Sequence, residues 1–170
     1  MDELKYWHAV FTASRAEKKV RDRLEELGVE CFLPVQTVLR QWTYRKSRVV
    51  VPVIAGLVFV RVSRQEQVKV LQTKGVVAFL RLKGEAGAAV IPDKQMEDFR
   101  FLLDFSEEAV EMTNENIKAG DLVRVVKGSL RGMEGELIRH KGVTKVLVRI
   151  DMLGCAMVSI PASFVEKLNK

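Results

Sequence analysis

A cluster of cations with two aromatic side chains among them is the strongest chemical signal in this sequence. No acidic residue occurs between Glu30 and Glu66, and the cations in that stretch are Arg40, Arg45, Lys46, Arg48, Arg61 and Arg64. Trp42 and Tyr44 lie among the first four of them. Cations that contact phosphates and rings that stack on bases suit single-stranded nucleic acid. A solvated strand edge that is protected by charge explains the same residues equally well.

Catalysis and metal binding have no comparable set of residues. Cys31 and Cys155 are far apart, and only His8 and His140 accompany them, so neither a disulfide framework nor a metal-ligand spacing is present. The sequence has no glycine-rich phosphate loop, no nucleophile beside a base and no clustered carboxylates. We therefore predict a protein that is not an enzyme and that uses no cofactor and no metal.

Charge divides the chain into three segments. The net charge is +6 over residues 1–103, −5 over residues 104–117 and +5 over residues 118–170. Two basic modules separated by an acidic strip indicate two domains joined by a linker with these boundaries. The start of the chain does not have the layout of a signal peptide, and no apolar run is long enough to span a bilayer. We expect a cytoplasmic monomer with no membrane partner.

The first module reads as an α+β domain, a sheet flanked by helices. The order of its patterns is β-α-β-β-β-α-β-α, with a long hairpin over residues 35–53 and a central strand over residues 56–62 that is buried on both faces. Gly28 is expected to end the first helix. Capping boxes, in which a Ser hydroxyl and a Glu carboxylate each accept a free backbone N–H, are predicted at two helix starts: Ser14 with Glu17, and Ser63 with Glu66.

The last module is rich in short strands. Glycine, proline and polar turns separate five of them, at residues 122–126, 135–140, 145–151, 155–160 and 164–167. Five short strands in about fifty residues predict a small closed β-barrel, because closure removes exposed strand edges. The acidic strip that precedes them shows neither a helical nor a strand period, and it is expected to be a linker or a frayed extension of the preceding helix.

The resemblance to a known family begins with the run VRVVKGSLRGMEG at residues 123–135, which resembles the KOW motif of small SH3-like β-barrels. Gly128, Gly132 and Gly135 stand at its glycine positions. Glycine is needed there for positive φ and for close approach of the backbone. Taken alone, this motif suits a ribosome- or RNA-associated KOW protein equally well.

The first module narrows the resemblance to the NusG family, in which an NGN-type domain precedes a KOW domain. The segments that resemble this family are WHAV at residues 7–10, VPVIAGLVFV at 51–60, TKGVV at 73–77 and IP at 91–92. GVECFLP at residues 28–34, followed by LRQW and RK, is similar to the specialised RfaH-like and UpxY-type antitermination factors. The resemblance covers nearly the whole chain, with both modules in the family's order.

The resemblance implies a contact between the first module and the clamp helices of RNA polymerase. The matching positions are Phe11, Ile54, Leu57 and Trp7. For Trp7, the strand pattern favours a place in the core, whereas Ile54 and Leu57, on either side of Gly56, are expected at the interface. The family commonly has proline and an aromatic residue around this glycine, where the present chain has Ala55 and Leu57. The implied function is an operon-specific elongation and antitermination factor that suppresses pausing and termination.

Two further contacts follow from the resemblance. Non-template single-stranded DNA in the transcription bubble is expected at Arg15, Lys19, Arg23, Thr73 and Lys74. The KOW domain is expected to contact a small-subunit ribosomal protein or the termination factor Rho; its strand–turn pattern favours the barrel over the helical hairpin known in RfaH. The alternatives are a general NusG elongation factor and, in a different class, a ribosome- or RNA-associated KOW protein.

Overall fold

The computed structural model describes residues 4–168, in which helices occur in the first part of the chain and strands dominate the last. In chain order the elements are β1 (Tyr6–Thr12), α1 (Glu17–Glu26), β2 (Glu30–Phe32), β3 (Val35–Gln41), β4 (Lys46–Pro52), β5 (Leu57–Val62), α2 (Glu66–Leu71), β6 (Val76–Phe79), α3 (Asp93–Phe105), β7 (Glu111–Thr113), β8 (Asp121–Val125), β9 (Glu134–His140), β10 (Val143–Ile150), β11 (Gly154–Ser159) and β12 (Val165–Lys167). None of the helices in this described range is long and apolar enough to cross a membrane.

An antiparallel sheet with the strand order β2-β5-β1-β6 organises the first module. Helix α1 connects β1 to β2, and α2 connects β5 to β6; in each case a third strand lies between the two that are connected. This is the split β-α-β arrangement. Strand β5 is paired on both edges, and four consecutive side chains, Leu57 to Val60, are fully buried. The predicted central strand is confirmed.

Helix α1 covers one face of this sheet because its apolar residues recur at helical spacing. Val20 and Leu24, four residues apart, pack in one cluster with Val10, Val58 and Val60 of the two central strands. The helix ends at Gly28 as predicted. Gly28 has a φ of 77°, and the following N–H, of Val29, donates to the Leu24 carbonyl at 3.0 Å, which closes the last turn.

The two predicted capping boxes have opposite outcomes. The box at Ser14 and Glu17 is wrong, because α1 begins after Ala16 without a side-chain cap, and Arg15 (φ 59°) turns the chain between Ser14 and the helix. The box at Ser63 and Glu66 is confirmed. The Ser63 hydroxyl accepts the Glu66 N–H at 3.2 Å, and the Glu66 carboxylate accepts the Ser63 N–H at the same distance.

Strands β3 and β4 form the predicted hairpin as a separate two-stranded sheet. The Trp42 N–H donates to the Arg45 carbonyl at 2.7 Å and closes its loop. Side chains near the base of the hairpin are half-buried in alternation, whereas every residue from Leu39 to Lys46 is exposed. The distal half of the hairpin is therefore surrounded by solvent.

The C-terminal strands form an antiparallel sheet in the order β12-β8-β9-β10-β11-β7. The five predicted strands are present within one or two residues, and the helical alternative is not adopted. Strand β7 was not expected, since it lies within the acidic strip at residues 104–117. Its backbone pairs with β11, with Met112 opposite Ala156. Such pairing needs no side-chain period, which explains why the pattern did not indicate it.

The described chain groups into two compact units by packing. The first consists of the chain up to Val35 together with Ile54–Asp93, and the second consists of Gln36–Val53 together with the chain from Lys94 onward. The β3–β4 hairpin and most of α3 thus group with the C-terminal sheet. This grouping reflects packing alone, and the division into domains at residues 1–103 and 118–170 stays a prediction.

Candidate functional site

Phe11 and Leu57 face each other across the β1–β5 pair, so their side chains lie on the same face of the sheet. Their exposure differs sharply: 40 % of Phe11 is accessible to solvent, but only 1 % of Leu57. Leu57, expected at the surface, is instead part of the core because β5 is buried on both faces. Trp7 is also buried, as its strand pattern favoured, and Ile54 is half-buried. Phe11 and Ile54 are therefore the two implied polymerase contacts that a partner could reach.

The turn between β4 and β5 lies at the same end of the sheet as Phe11. The N–H of Thr12, the residue after Phe11, donates to the Gly56 carbonyl at 2.9 Å. Gly56 has a φ of 72°, a conformation that is inexpensive only for glycine. The turn that carries Ile54 is thus fixed to the end of β1 by backbone geometry, and it does not depend on the aromatic residue found beside this glycine in the family.

Helix α1 and the turn before β6 pack on each other, and the implied DNA contacts lie on these two segments and on the residues just before α1. The Arg23 guanidinium donates from Nη1 to the Lys74 carbonyl at 2.7 Å. Gly75 (φ 96°) lets the turn approach the helix closely, since a Cβ there would lie 2.7 Å from a methyl carbon of Val20. The structure therefore places Arg23 against the Lys74 carbonyl and packs α1 closely on the turn.

The five implied DNA contacts are not equally available. Thr73 is buried, and its hydroxyl donates to the Lys69 carbonyl at 2.8 Å at the end of α2. Arg23 is half-buried and holds the turn in place. Arg15, Lys19 and Lys74 are exposed, and none of them forms an ion pair with a carboxylate within residues 4–168. These three cations are free to meet phosphates.

Sequence reasoning missed one cation beside these contacts. Lys69 lines a groove of about 400 Å³ together with residues of α1 and the turn, which are Arg23, Glu26, Leu27, Gln72 and Thr73. The signal was available, since Lys69 and Thr73 are four residues apart and share one side of the end of α2. Glu26 contributes a negative charge to the same groove, which makes that part of the groove less favourable for an anion.

The three glycines of the KOW-like run serve two different physical purposes. Gly128 and Gly132, in the loop between β8 and β9, have φ values of 85° and 95°. Gly135 lies inside β9 without a positive φ, and a Cβ there would lie 2.8 Å from the Leu147 carbonyl oxygen. Two positions therefore need backbone freedom, and the third needs the absence of a side chain.

Nucleophilic and metal chemistry find little support in the geometry. Burial raises the pKa of Cys31 to about 11, with a smaller contribution from Glu25, so this thiol is protonated at neutral pH. Cys155 is buried, and burial raises its pKa as well. Among the described residues, no group of three or more His, Cys, Asp or Glu side chains could hold a metal ion.

Comparison with protein families identifies the first module. The family model described as transcription termination factor nusG matches residues 5–100, more than half of the chain. The chain belongs to the NusG family. Members of this family are transcription factors and not enzymes, in agreement with the prediction from the sequence. A search of curated protein sequences finds no match.

One solved structure supports the fold. A structure described as domain interaction in Thermotoga maritima NusG is 23% identical, covers 97% of this chain and 98% of that chain, and has a TM-score of 0.52. At this identity the likeness extends to the fold alone. Two conformations of an MjSpt4:Spt5 complex, B and A, are 17% identical over 96% of this chain and 97% and 99% of theirs. Their TM-scores of 0.31 and 0.26 are too low to support a common arrangement.

Proposed function

We propose that this NusG-family protein binds the clamp helices of transcribing RNA polymerase and acts as an operon-specific elongation and antitermination factor. The observation that carries the proposal is the exposed apolar ring of Phe11 beside the turn that holds Ile54, inside the segment matched by the family model. Factors of this family interact with RNA polymerase. Burial of this apolar surface on polymerase contributes roughly 25 cal/mol per Å², less the cost of association.

The same surface explains how the factor acts. A protein seated on the clamp helices resists opening of the clamp and keeps the polymerase closed around its nucleic acids. Pausing and termination are suppressed as a result. Leu57, which is buried opposite Phe11 on the neighbouring strand, supports this surface from the core.

Non-template DNA in the transcription bubble is the proposed partner of α1, the residues just before it and the turn before β6. Arg15, Lys19 and Lys74 contact phosphates there, while Arg23 and Thr73 hold the turn on which Lys74 lies. Recognition of the exposed strand restricts the factor to operons that carry a suitable element. This contact is what separates the proposal from a general NusG elongation factor.

The C-terminal module, residues 118–170, is proposed to be a KOW domain of the SH3-like barrel type. The support is its run of antiparallel strands and the conformations of Gly128, Gly132 and Gly135. We propose that it contacts a small-subunit ribosomal protein or Rho and that residues 104–117 join it to the NGN-type domain.

Binding to purified RNA polymerase tests the first surface. Phe11→Glu combined with Ile54→Glu should abolish binding while far-UV circular dichroism stays that of the native protein, because both side chains reach solvent. Val90→Glu is the matched control, since Val90 is 49 % exposed and lies near the opposite end of β1, beside the Trp7–Ile91 bridge. Leu57→Glu is unsuitable, because a charge at a buried position unfolds the domain. Unchanged binding of the double variant would contradict the proposal.

The position of the tagged protein on transcribed genes tests its specificity. A specialised factor should occupy one or a few operons from their leader onward. Occupancy of most transcribed genes would instead identify a general NusG factor, and association with ribosomes without polymerase would favour an RNA-associated KOW protein.

A further inference from the structure

The tip of the β3–β4 hairpin carries an exposed aromatic and cationic surface that the proposed function does not use. Tyr44 is 97 % exposed and Trp42 is 51 % exposed. Four cations surround them, namely Arg40, Arg45, Lys46 and Arg48, and all four are exposed. None of the four forms an ion pair with a carboxylate in the part of the chain that the structure describes. We refer to residues 40–48 as the hairpin tip.

We propose that the hairpin tip binds single-stranded DNA, with bases stacked on Tyr44 and Trp42 and phosphates held by the surrounding cations. Any base can stack on an exposed aromatic ring. The cations add phosphate contacts, which make the affinity depend on the salt concentration. The inference goes beyond the proposed function, since it concerns different residues and requires no polymerase.

Edge protection alone does not explain this surface. A strand edge is protected from pairing by charges, and the cations of the tip would be enough for that purpose. A tyrosine ring with 97 % of its surface in water adds nothing to such protection. Tyrosine and tryptophan are enriched at interfaces, where a partner covers the ring while the polar end can stay in contact with water. Their presence among unpaired cations therefore indicates an anionic partner with flat apolar faces.

The indole of Trp42 is held in place for such a contact. Its Nε1–H donates to the Ser47 hydroxyl on the opposite strand at 2.8 Å. The loop itself is closed by the backbone bond from Trp42 to Arg45. A ring that is already oriented loses less side-chain entropy when a base stacks on it.

The contacts available at the hairpin tip are those that unpaired DNA supplies. The Ser47 hydroxyl accepts the indole N–H and keeps its own proton to donate, so it gives no preference between DNA and RNA. Stacking on the two rings and phosphate contacts with the cations need no 2′-hydroxyl. Duplex DNA is a poor match, because its bases are already stacked on one another. We therefore assign unpaired DNA as the ligand.

Tryptophan fluorescence of the full chain with a short oligothymidylate tests the assignment. The sequence holds only two tryptophans, and Trp7 is buried, so quenching on titration reports contact at Trp42. Quenching should persist in Trp7→Phe. Tyr44→Ala should weaken binding about tenfold or more, as loss of one stacked base requires, whereas Tyr44→Phe should bind like the native protein. Anisotropy of a labelled oligonucleotide, measured with the Tyr44 variants in a Lys19→Ala, Lys74→Ala background to weaken the other proposed DNA surface, gives the affinity of the tip without relying on Trp42.

Further measurements distinguish single-stranded DNA binding at the hairpin tip from binding at the other DNA surface, from duplex DNA binding and from RNA binding. Lys19→Ala with Lys74→Ala should leave the quenching in place, so the two DNA surfaces can fail independently. The inference is overturned if Tyr44→Ala binds oligothymidylate as tightly as Tyr44→Phe does. It is also overturned if duplex DNA quenches Trp42 as strongly as the single strand, or if the native protein binds oligouridylate more than tenfold more tightly than oligothymidylate. Circular dichroism confirms that the variants are folded, since both rings lie on the exposed half of the hairpin.

Discussion

Arg149 of β10 and Glu136 of β9 are joined by two hydrogen-bonded ion contacts, Nε to Oε2 at 2.6 Å and Nη2 to Oε1 at 3.1 Å. Arg149 also donates to the Ile117 carbonyl at 2.8 Å, and Glu136 accepts the Gly120 N–H at 3.0 Å. The hydrogen bond to Glu136 raises the pKa of Arg149, against the effect of burial. One pair of side chains therefore ties the segment that enters the C-terminal sheet to two of its strands.

Glu136→Gln should lower the free energy of unfolding by about 1–3 kcal/mol, because it removes the charge that satisfies both Arg149 and the entering backbone. Chemical denaturation measures the change. Arg124→Gln is the control, since its contacts with Glu134 and Glu166 are exposed and should be worth less than about 1 kcal/mol. Equal effects of the two substitutions would show that the Arg149 contacts do not hold the segment.

Ser63→Ala should destabilise the first module by about 1 kcal/mol, because it removes the hydroxyl that accepts the Glu66 N–H at the start of α2. Glu66 itself is partly buried, which raises its pKa, but the Ser63 N–H and Lys5 outweigh burial and the net shift is downward. Ser14→Ala is the matched control and should change the thermal midpoint little, since α1 has no side-chain cap. A comparable loss in both variants would contradict the assignment.

The two serines also show how far the sequence could predict the fold. Strands, helices and their order follow from periodicity and from Gly28, and the hairpin follows from its β-branched and aromatic residues. A capping box, in contrast, requires a particular backbone conformation that the sequence does not specify. At Ser14 that conformation is absent, because Arg15 has a positive φ and turns the chain away from the start of the helix.

The site was predictable only in part for a similar reason. Phe11 and Leu57 are both apolar residues of strands, and exposure separates them only once the sheet is assembled. The contact between Arg23 and the Lys74 carbonyl spans 51 residues of sequence, and no local pattern indicates it. Strand β7 depends on the available edge of β11, which is likewise a tertiary feature.

Gly135→Ala should lower the free energy of unfolding by about 1–3 kcal/mol, because the new methyl group would press on the Leu147 carbonyl and Val146 across the β9–β10 pair. Gly87→Ala is the control. Gly87 has no atom within 4 Å of the position of a Cβ and no positive φ, so its substitution should stay within about 0.5 kcal/mol of the native protein. Urea denaturation of the two variants tests whether Gly135 is needed because the backbones of β9 and β10 approach each other closely there.

Stability should fall with pH below about 6.5 because of His8. Its ring is buried against Phe79 and its Nδ1–H donates to the Ala89 carbonyl at 2.9 Å; burial lowers the pKa of His8 from its ordinary 6.5 despite this bond. As the pH falls, the unfolded chain therefore takes up a proton at His8 before the folded protein does. The stabilisation from neutral His8 is complete above pH 6.5 and is lost as the pH falls from 6.5 toward the lowered pKa of the folded protein. The slope cannot exceed about 1.4 kcal/mol per pH unit. Denaturation of native protein and His8→Gln between pH 7 and pH 5.5 should give a flatter profile for the variant; parallel profiles would exclude His8 as the cause.

Lys19→Ala with Lys74→Ala should weaken binding of single-stranded DNA and flatten its salt dependence. Each lost phosphate contact removes about 0.7 from the slope of log affinity against log salt, so the double variant should lose about 1.4. Arg81→Ala with Lys83→Ala removes two exposed cations from the loop that follows β6 and leaves the net charge the same as in the test variant. If the surface beside Gly75 binds the single-stranded DNA, the slope of log affinity against log salt changes only in Lys19→Ala with Lys74→Ala. The long-range attraction between protein and DNA is equal in the two double variants, because their net charges are equal. Equal slopes in the two double variants would show that Lys19 and Lys74 contribute only to the overall charge of the protein and make no direct phosphate contact.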